Sequence, residues 1–333
     1  MTSYLSRLAE RLRSGLAAVA RAFRRRQAEY LRGVQNADGG FAGRRGPSDV
    51  YYTVFALRAA DMLDVRAADF WRHAAAFVRK NSTRPRDVTD CVSLLAARDL
   101  LARHGQTLWC ETCAPERIDT VRATLERFRL PLGGFARAAG GEISLYHTFL
   151  AGLCFELLGE STPDGEATGA LARSRQLSDG GFADLGRVER SGTNQTAAAL
   201  GVLRLVGALG ESGAAAAAGY LVEMQRPDGG FAAHAGAPMS DLMSTFTALE
   251  TLVHLGRIRD VRLSDVGRYV KSLAAPGGGF AATTGDDAID VEYTYYGLGT
   301  LALLAAQVAG GRAARPSPSR KTGTRGGPGT REK

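Results

Sequence analysis

The tetrapeptide Gly-Gly-Phe-Ala occurs five times, starting at residues 39, 133, 180, 229 and 278. The last three intervals are 47, 49 and 49 residues, and the first, 94, is nearly twice as long. A period of this size limits a chain to a stack or ring of like units, each burying its face on the next. The long interval therefore hides a degenerate copy, and "STRPRDVTDCVSLLAARDLLARHG" (82–105) fills its place. Six units of about 48 residues result.

Each unit reads as a polar-edged helix, a Gly-rich turn and a more apolar helix. "TNQTAAALGVLRLVGALG" (193–210) starts with Thr and Asn as caps and stops at Gly210. "SDLMSTFTALETLVHLG" starts the same way at Ser240 or Asp241. The segments "SGAAAAAGYLVEMQ" and "SDVGRYVKSLAA" carry apolar residues three and four apart, as on a one-sided helix. Paired glycines let the chain take positive φ after the first helix, and the Phe returns to the core. The tetrapeptide is thus a helix-hairpin corner rather than a catalytic motif. No unit has the polar face of a terminal cap, which favours a closed ring over an open solenoid.

With 45% hydrophobic residues in 333, the chain can bury a large core. No run of about 18 apolar residues suggests a membrane span, and "MTSYLSRLAERLRSGLAAVARAFRRR" lacks the apolar stretch of a signal peptide. Four cysteines (91, 110, 113 and 154) are too few for a disulfide framework and suit a reducing cytoplasm. Of the net charge of +8, residues 312–333 supply +6, through seven Arg or Lys and one Glu. That Pro- and Gly-rich segment reads as a disordered basic tail, so a folded surface for nucleic acid is not indicated. Residues 1–26 read as one amphipathic basic helix, with Leu5, Leu8, Leu12, Leu16, Val19 and Phe23 on one stripe. Such a helix packs outside the ring or makes peripheral contact with a membrane or a partner. Residues 27–311 form the repeat domain.

Three corners have a longer form: "QNADGGF" (35–41), "QLSDGGF" (176–182) and "QRPDGGF" (225–231). With helices such as "YYTVFAL" and "YHTFLAGL", they resemble the prenyltransferase and squalene-cyclase repeat. The likeness is greatest to the β subunits of protein prenyltransferases, including the Rab geranylgeranyl type, and covers roughly residues 24–310. It implies an all-α fold, an α/α toroid whose inner helices line an apolar funnel. It also implies transfer of a farnesyl or geranylgeranyl group from its diphosphate to a thiol acceptor, assisted by zinc. In that family the zinc is held by Asp-x-Cys and a His of the next repeat, and an α subunit is the usual partner. A zinc-bound thiol is deprotonated at neutral pH, which supplies the nucleophile.

The family's order would put the zinc ligands in the fifth and sixth units. There this chain has Asp241 followed by Met243, and Tyr293 in place of the histidine. A second register is "RPRDVTDCVSLL" (84–95) followed one unit later by Tyr146-His147-Thr148. In it Arg84 and Arg86 face the diphosphate, Asp90 (or Asp87), Cys91 and His147 hold zinc, and Tyr146 flanks the reacting centre. Cys91 and His147 are also readable as ordinary packed core residues. Tyr52, near Arg44 and Arg45, is expected in the funnel, with Phe149, Phe246 and Tyr295 as apolar lining. "WCETC" (109–113) is a Cys-x-x-Cys pair readable as half of a structural zinc site with His104 and Cys91, or as a redox pair. Asp286, Asp287 and Asp290 would hold a Mg²⁺–diphosphate or cap a helix. They lack the Asp-x-Asp-Asp order of the alternative function, an isoprenoid (terpene) cyclase. A non-catalytic ring that binds a lipid or a partner helix is the other alternative.

Overall fold

A computed structural model describes residues 3–81 and 84–313, with side chains through 308. Two helices open the chain, α1 (Tyr4–Ala17) and α2 (Arg21–Gly33). Inner and outer helices then alternate. The inner ones are α3 (Val50–Met62), α5 (Val88–Arg103), α7 (Leu145–Leu158), α9 (Thr193–Leu205), α11 (Leu242–His254) and α13 (Val291–Ala313). The outer ones are α2 itself, α4 (Ala68–Asn81), α6 (Ala114–Phe128), α8 (Gly165–Ser174), α10 (Glu211–Glu223) and α12 (Leu263–Ser272). Inner helices are apolar on nearly every side because they are covered on nearly every side. Each packs on its two neighbours in sequence, and α13 packs back on α3. The architecture is the expected closed α/α ring of six hairpins. Among the described residues the β structure consists of three two-residue ladders at the corners, pairing Phe135 with Ser144, Phe231 with Asp241 and Phe280 with Asp290, and of isolated bridges there such as Phe41 with Asp49.

The corners explain the repeat. All five Phe side chains (41, 135, 182, 231 and 280) are fully buried. The backbone N–H of each donates to a threonine hydroxyl on the inner helix that follows: Thr53, Thr148, Thr196, Thr245 and Thr294. Where Asp precedes the glycines, as at 38, 179 and 228, its Oδ1 accepts from the second Gly N–H and from a serine hydroxyl ten to twelve residues on. The Gln of the same motif ties its own corner to the next outer helix; Gln176 Nε2 donates to the carbonyls of Gly180 and Gly213. The first corner glycine has φ between 76° and 105° at all five sites. At Gly133 a Cβ would stand 2.8 Å from Thr168 N, so the next outer helix packs against bare backbone. The last corner makes the same contact with α2: a Cβ on Gly278 would stand 2.6 Å from Tyr30 Cβ. This is how the ring closes.

The N-terminal segment departs from the single helix expected over 1–26. The chain turns at Ala18–Ala20, and α2 is the outer helix of the first unit, with Phe23 against Phe280 and Gln27 Oε1 accepting from Gly279 N. Helix α1 lies across the ring end where the inner helices finish. Gly15 abuts Ala302 of α13, Arg13 pairs with Asp61 of α3, and Tyr4 N donates to Glu156 of α7. Leu8, Leu12 and Leu16 are buried there. The apolar stripe that membrane insertion would need is already covered by the ring. No helix among the described residues is long and apolar enough to cross a membrane. Nearly all of the basic tail lies outside the described residues.

Candidate functional site

Equivalent positions in the six units make the site easy to build. The second residue of each inner helix is Tyr51, Thr89, Tyr146, Asn194, Met243 or Glu292. Five of these line an axial cavity of about 440 Å³, within the usual range for a small-molecule pocket. One turn deeper come Phe55, Phe149, Phe246 and Tyr295, an aromatic girdle, and below it Arg58 and Glu250. Tyr4, Leu5 and Leu8 of α1 also line it, so α1 forms the floor, and exposed Tyr146 marks the mouth. The rings meet mostly edge to face: Phe55 with Tyr295 at 5.5 Å and Phe246 with Tyr295 at 5.5 Å. Burial raises the Tyr295 phenol to about 12, so it stays neutral.

Glu292 holds the sixth place of the mouth layer and is buried. Its Oε1 accepts from the hydroxyls of two cavity-lining residues, Tyr51 at 2.8 Å and Tyr296 at 3.4 Å. Burial raises the Glu292 carboxyl above its ordinary range; the Tyr51 hydroxyl pulls the other way and the Asp290 charge adds to the rise. The net effect favours the proton. On the floor, Arg58 lies 5.9 Å from the ring centres of both Phe55 and Tyr295. Glu250 pairs with His254 at 2.7 Å.

The residues expected to hold zinc are not brought together. Cys91 is the fourth residue of α5, the place held by Thr53, Thr148, Thr196, Thr245 and Thr294 in the other units. It is fully buried and faces Val121 O of outer helix α6 at 3.9 Å; burial pushes its thiol pKa far up. Asp90 instead pairs with Arg86 at 2.8 Å. Arg84, Arg86 and Asp90 line a separate groove with Ser48, Asp49 and Asn81, outside the axial cavity. His147 Nδ1 hydrogen-bonds Ser144 Oγ at 2.9 Å, and burial pulls its pKa down against the opposing Asp184 charge. Among the described residues no three His, Cys, Asp or Glu side chains could hold a metal ion. The donors present therefore do not fit the zinc site drawn at Asp90, Cys91 and His147, nor a Cys110–Cys113 site completed by His104 and Cys91. His104 bonds Asp61 at 2.8 Å and stacks on Trp71. Two of the three aspartates considered for Mg²⁺ are engaged too: Asp286 and Asp290 bind Arg44, and Asp290 caps Tyr293 N.

Tyr146 lies at the mouth, and Phe149, Phe246 and Tyr295, expected in the lining, line the cavity. Tyr52 does not; it stands edge-on to Tyr51, 5.2 Å away, and its neighbour takes the lining position. Sequence reasoning missed Glu292, Tyr51 and Arg58. The signal was there: counting two residues past each helix cap picks out the whole mouth layer.

The profile of the family described as "Prenyltransferase alpha-alpha toroid domain" matches residues 12–85 and 156–321. Among solved structures, Candida albicans protein geranylgeranyltransferase-I complexed with GGPP superposes with a TM-score of 0.66 at 14% identity, covering 84% of this chain and 90% of that one. A type II terpene cyclase, MstE, from Scytonema, in complex with geranylgeranyl dihydroxybenzoate, gives 0.60 at 15% identity, covering 90% and 99%. An α-1,6-mannanase from Salegentibacter gives 0.59 at 11%, covering 86% and 99%. No curated protein matches the sequence. At these identities the likeness is one of fold, and the cavity residues must carry any argument about chemistry.

Proposed function

The chain belongs to the prenyltransferase alpha-alpha toroid family, and from that premise we propose that it is an enzyme that binds a linear isoprenoid in the axial cavity and cyclises it through carbocations. The observation that carries this reading is an aromatic girdle with a buried carboxyl beside it, hydrogen-bonded to two tyrosines of the lining. Two similar structures hold geranylgeranyl compounds, which supports an isoprenoid ligand. Burying one C5 unit in such a cavity contributes on the order of 3–4 kcal/mol at ~0.8 kcal/mol per CH₂. Aromatic faces stabilise a cation within about 6 Å by roughly 0.5–2 kcal/mol each when desolvated.

Glu292 is the acid of this reading. Glu292 lies behind Tyr51 rather than in the lining, so its proton travels by way of the Tyr51 hydroxyl. That hydroxyl gives its own proton to one carbon of a terminal alkene as it takes that of Glu292; the π pair becomes the new C–H bond and the other carbon becomes cationic. A neighbouring alkene supplies the pair for ring closure, the final cation loses a proton to water, and Glu292 takes a proton back from water, so the net reaction is an isomerisation. The Tyr51 and Tyr296 hydroxyls, donating to Oε1, stabilise the carboxylate left behind, while burial shifts the Glu292 pKa upward, toward the protonated form. Zinc-assisted transfer to a thiol is less well supported, because Cys91 faces away from the cavity and, among the described residues, no cation lines its mouth.

The test incubates the protein with C15 and C20 isoprenoids and seeks isomers of unchanged mass. Glu292→Gln should lower turnover about 10²–10⁴-fold, the usual span for a general acid, with isoprenoid binding retained. The wild-type rate should fall as pH rises through the elevated Glu292 pKa. Full activity in Glu292→Gln would overturn the assignment. Release of diphosphate with alkylation of an added thiol would restore the transfer reading. Failure of both lipids to raise the melting temperature would leave a ring without an isoprenoid site.

A further inference from the structure

The pair in "WCETC" has no part in the axial cavity. Cys110 is exposed and Cys113 half-buried, in the loop that enters α6, whereas Cys91 and Cys154 are buried in the core. Their sulfurs lie 2.6 Å apart. Each sulfur also accepts from the other residue's backbone: Cys110 N donates to Cys113 Sγ at 3.0 Å, and Cys113 N to Cys110 Sγ at 3.2 Å. Cys113 caps α6, with Pro115 in its first turn, so the pair sits at the electropositive N-terminal end of that helix. We infer that Cys110 and Cys113 form a reversible dithiol–disulfide couple that exchanges with small-molecule disulfides, Cys110 attacking and Cys113 resolving.

The chemistry needs a solvent-reachable thiolate, a second thiol within bonding reach and donors that hold negative charge on sulfur; strands are not required. The hydrogen bond from Cys113, with those from Thr112 and the backbone, lowers the Cys110 thiol to about 7 and raises Cys113. The Cys110 thiolate attacks one sulfur of R–S–S–R, forming a mixed disulfide and expelling one thiolate. The Cys113 thiolate then attacks Cys110 sulfur, closing the protein disulfide and expelling the second. Two protein thiols are oxidised, the small disulfide is reduced to two thiols, and the protons end on the products or buffer. A closed bond of about 2.05 Å requires a small approach of two sulfurs already in contact.

The test uses the full chain, fully reduced, with oxidised glutathione as the probe. Wild type should lose two titratable thiols and two hydrogens in mass, without a retained adduct. Cys113→Ser should keep one glutathione on Cys110. Alkylation of Cys110 should titrate with a midpoint near 7. At neutral pH the larger thiolate fraction, about fifteen-fold, is offset about fivefold by lower nucleophilicity, leaving a rate about threefold above an ordinary thiol. Stable adducts on both cysteines of the wild type, or a midpoint at the ordinary thiol value, would overturn the couple. So would an inert pair that stays reduced while free glutathione forms disulfides under the same conditions.

Discussion

Cys91 holds the fourth position of α5 and faces outer helix α6, not the axial cavity. Aligning "RPRDVTDC" on Asp-x-Cys treats the cysteine as the second residue of its helix. The cap is Asp87, which accepts from Asp90 N at 2.9 Å, so Cys91 is fourth. Two residues turn an α-helix by about 200°, and the thiol moves from the cavity face to the outer-helix face. The error was hard to see because this one unit lacks the Gly-Gly-Phe corner that fixes register elsewhere. With no corner Phe N–H to satisfy, the usual Thr is not needed, and a small apolar residue fills the site. Cys91→Ala should therefore cost about 1–2 kcal/mol, as a modest core truncation does, with activity per folded molecule unchanged. Thr245→Val, which strands the buried Phe231 N–H, should cost about 1–3 kcal/mol. Both are read from denaturant midpoints. A zinc ion removed by Cys91→Ala and by His147→Ala alike would contradict this register.

Among the elements, α1 rests on one close contact with the ring that a single substitution can break. The corner-and-helix alternation was legible from Gly-Gly-Phe spacing and capping residues; the position of α1 was not, since an amphipathic stripe does not say what covers it. Its contact is backbone to backbone: any Cβ on Gly15 would run into the Ala302 carbonyl. Gly15→Val should thus lift α1 and open the cavity floor, at about 1–3 kcal/mol for overpacking. Hydrogen exchange should show α1 amides losing protection while α9 keeps its own. A charge cluster holds the same helix. Burial alone would raise the Asp61 carboxyl, but the His104 hydrogen bond and the charges of Arg103 and Arg13 hold it below the usual carboxylate range. A pKa depressed by folding stabilises above the unfolded value of about 4 and is lost as pH falls through the folded one. Protection of α1 should fall over that acid interval in the wild type. In Asp61→Asn it should already be low at neutral pH, and an unchanged profile there would show that the leucine stripe alone holds α1.

At the scale of the whole molecule the ring has one junction that no hairpin connects, where α13 meets α3. The last corner against α2 and the side-by-side contact of α13 with α3 join the first unit to the sixth. Helix α1 packs on both α13 and α3, bracing that seam while it floors the cavity. Closure has an energetic consequence that separates this chain from an open solenoid. In an open stack each unit contacts only its neighbours, so a terminal unit frays without unfolding the rest. Here the sixth unit has neighbours on both sides, and its corner Phe is as fully buried as that of the fourth. Phe280→Ala and Phe182→Ala should each cost about 3–5 kcal/mol, and both should lower one shared unfolding transition. A chain ending at His254 removes α12 and α13, exposing the faces of α11, α3 and α1 together, and should lose cooperative thermal unfolding altogether. If that truncated chain instead kept a sharp transition with helicity in proportion to its length, closure would add nothing to stability. The ring would then be a stack whose ends merely touch.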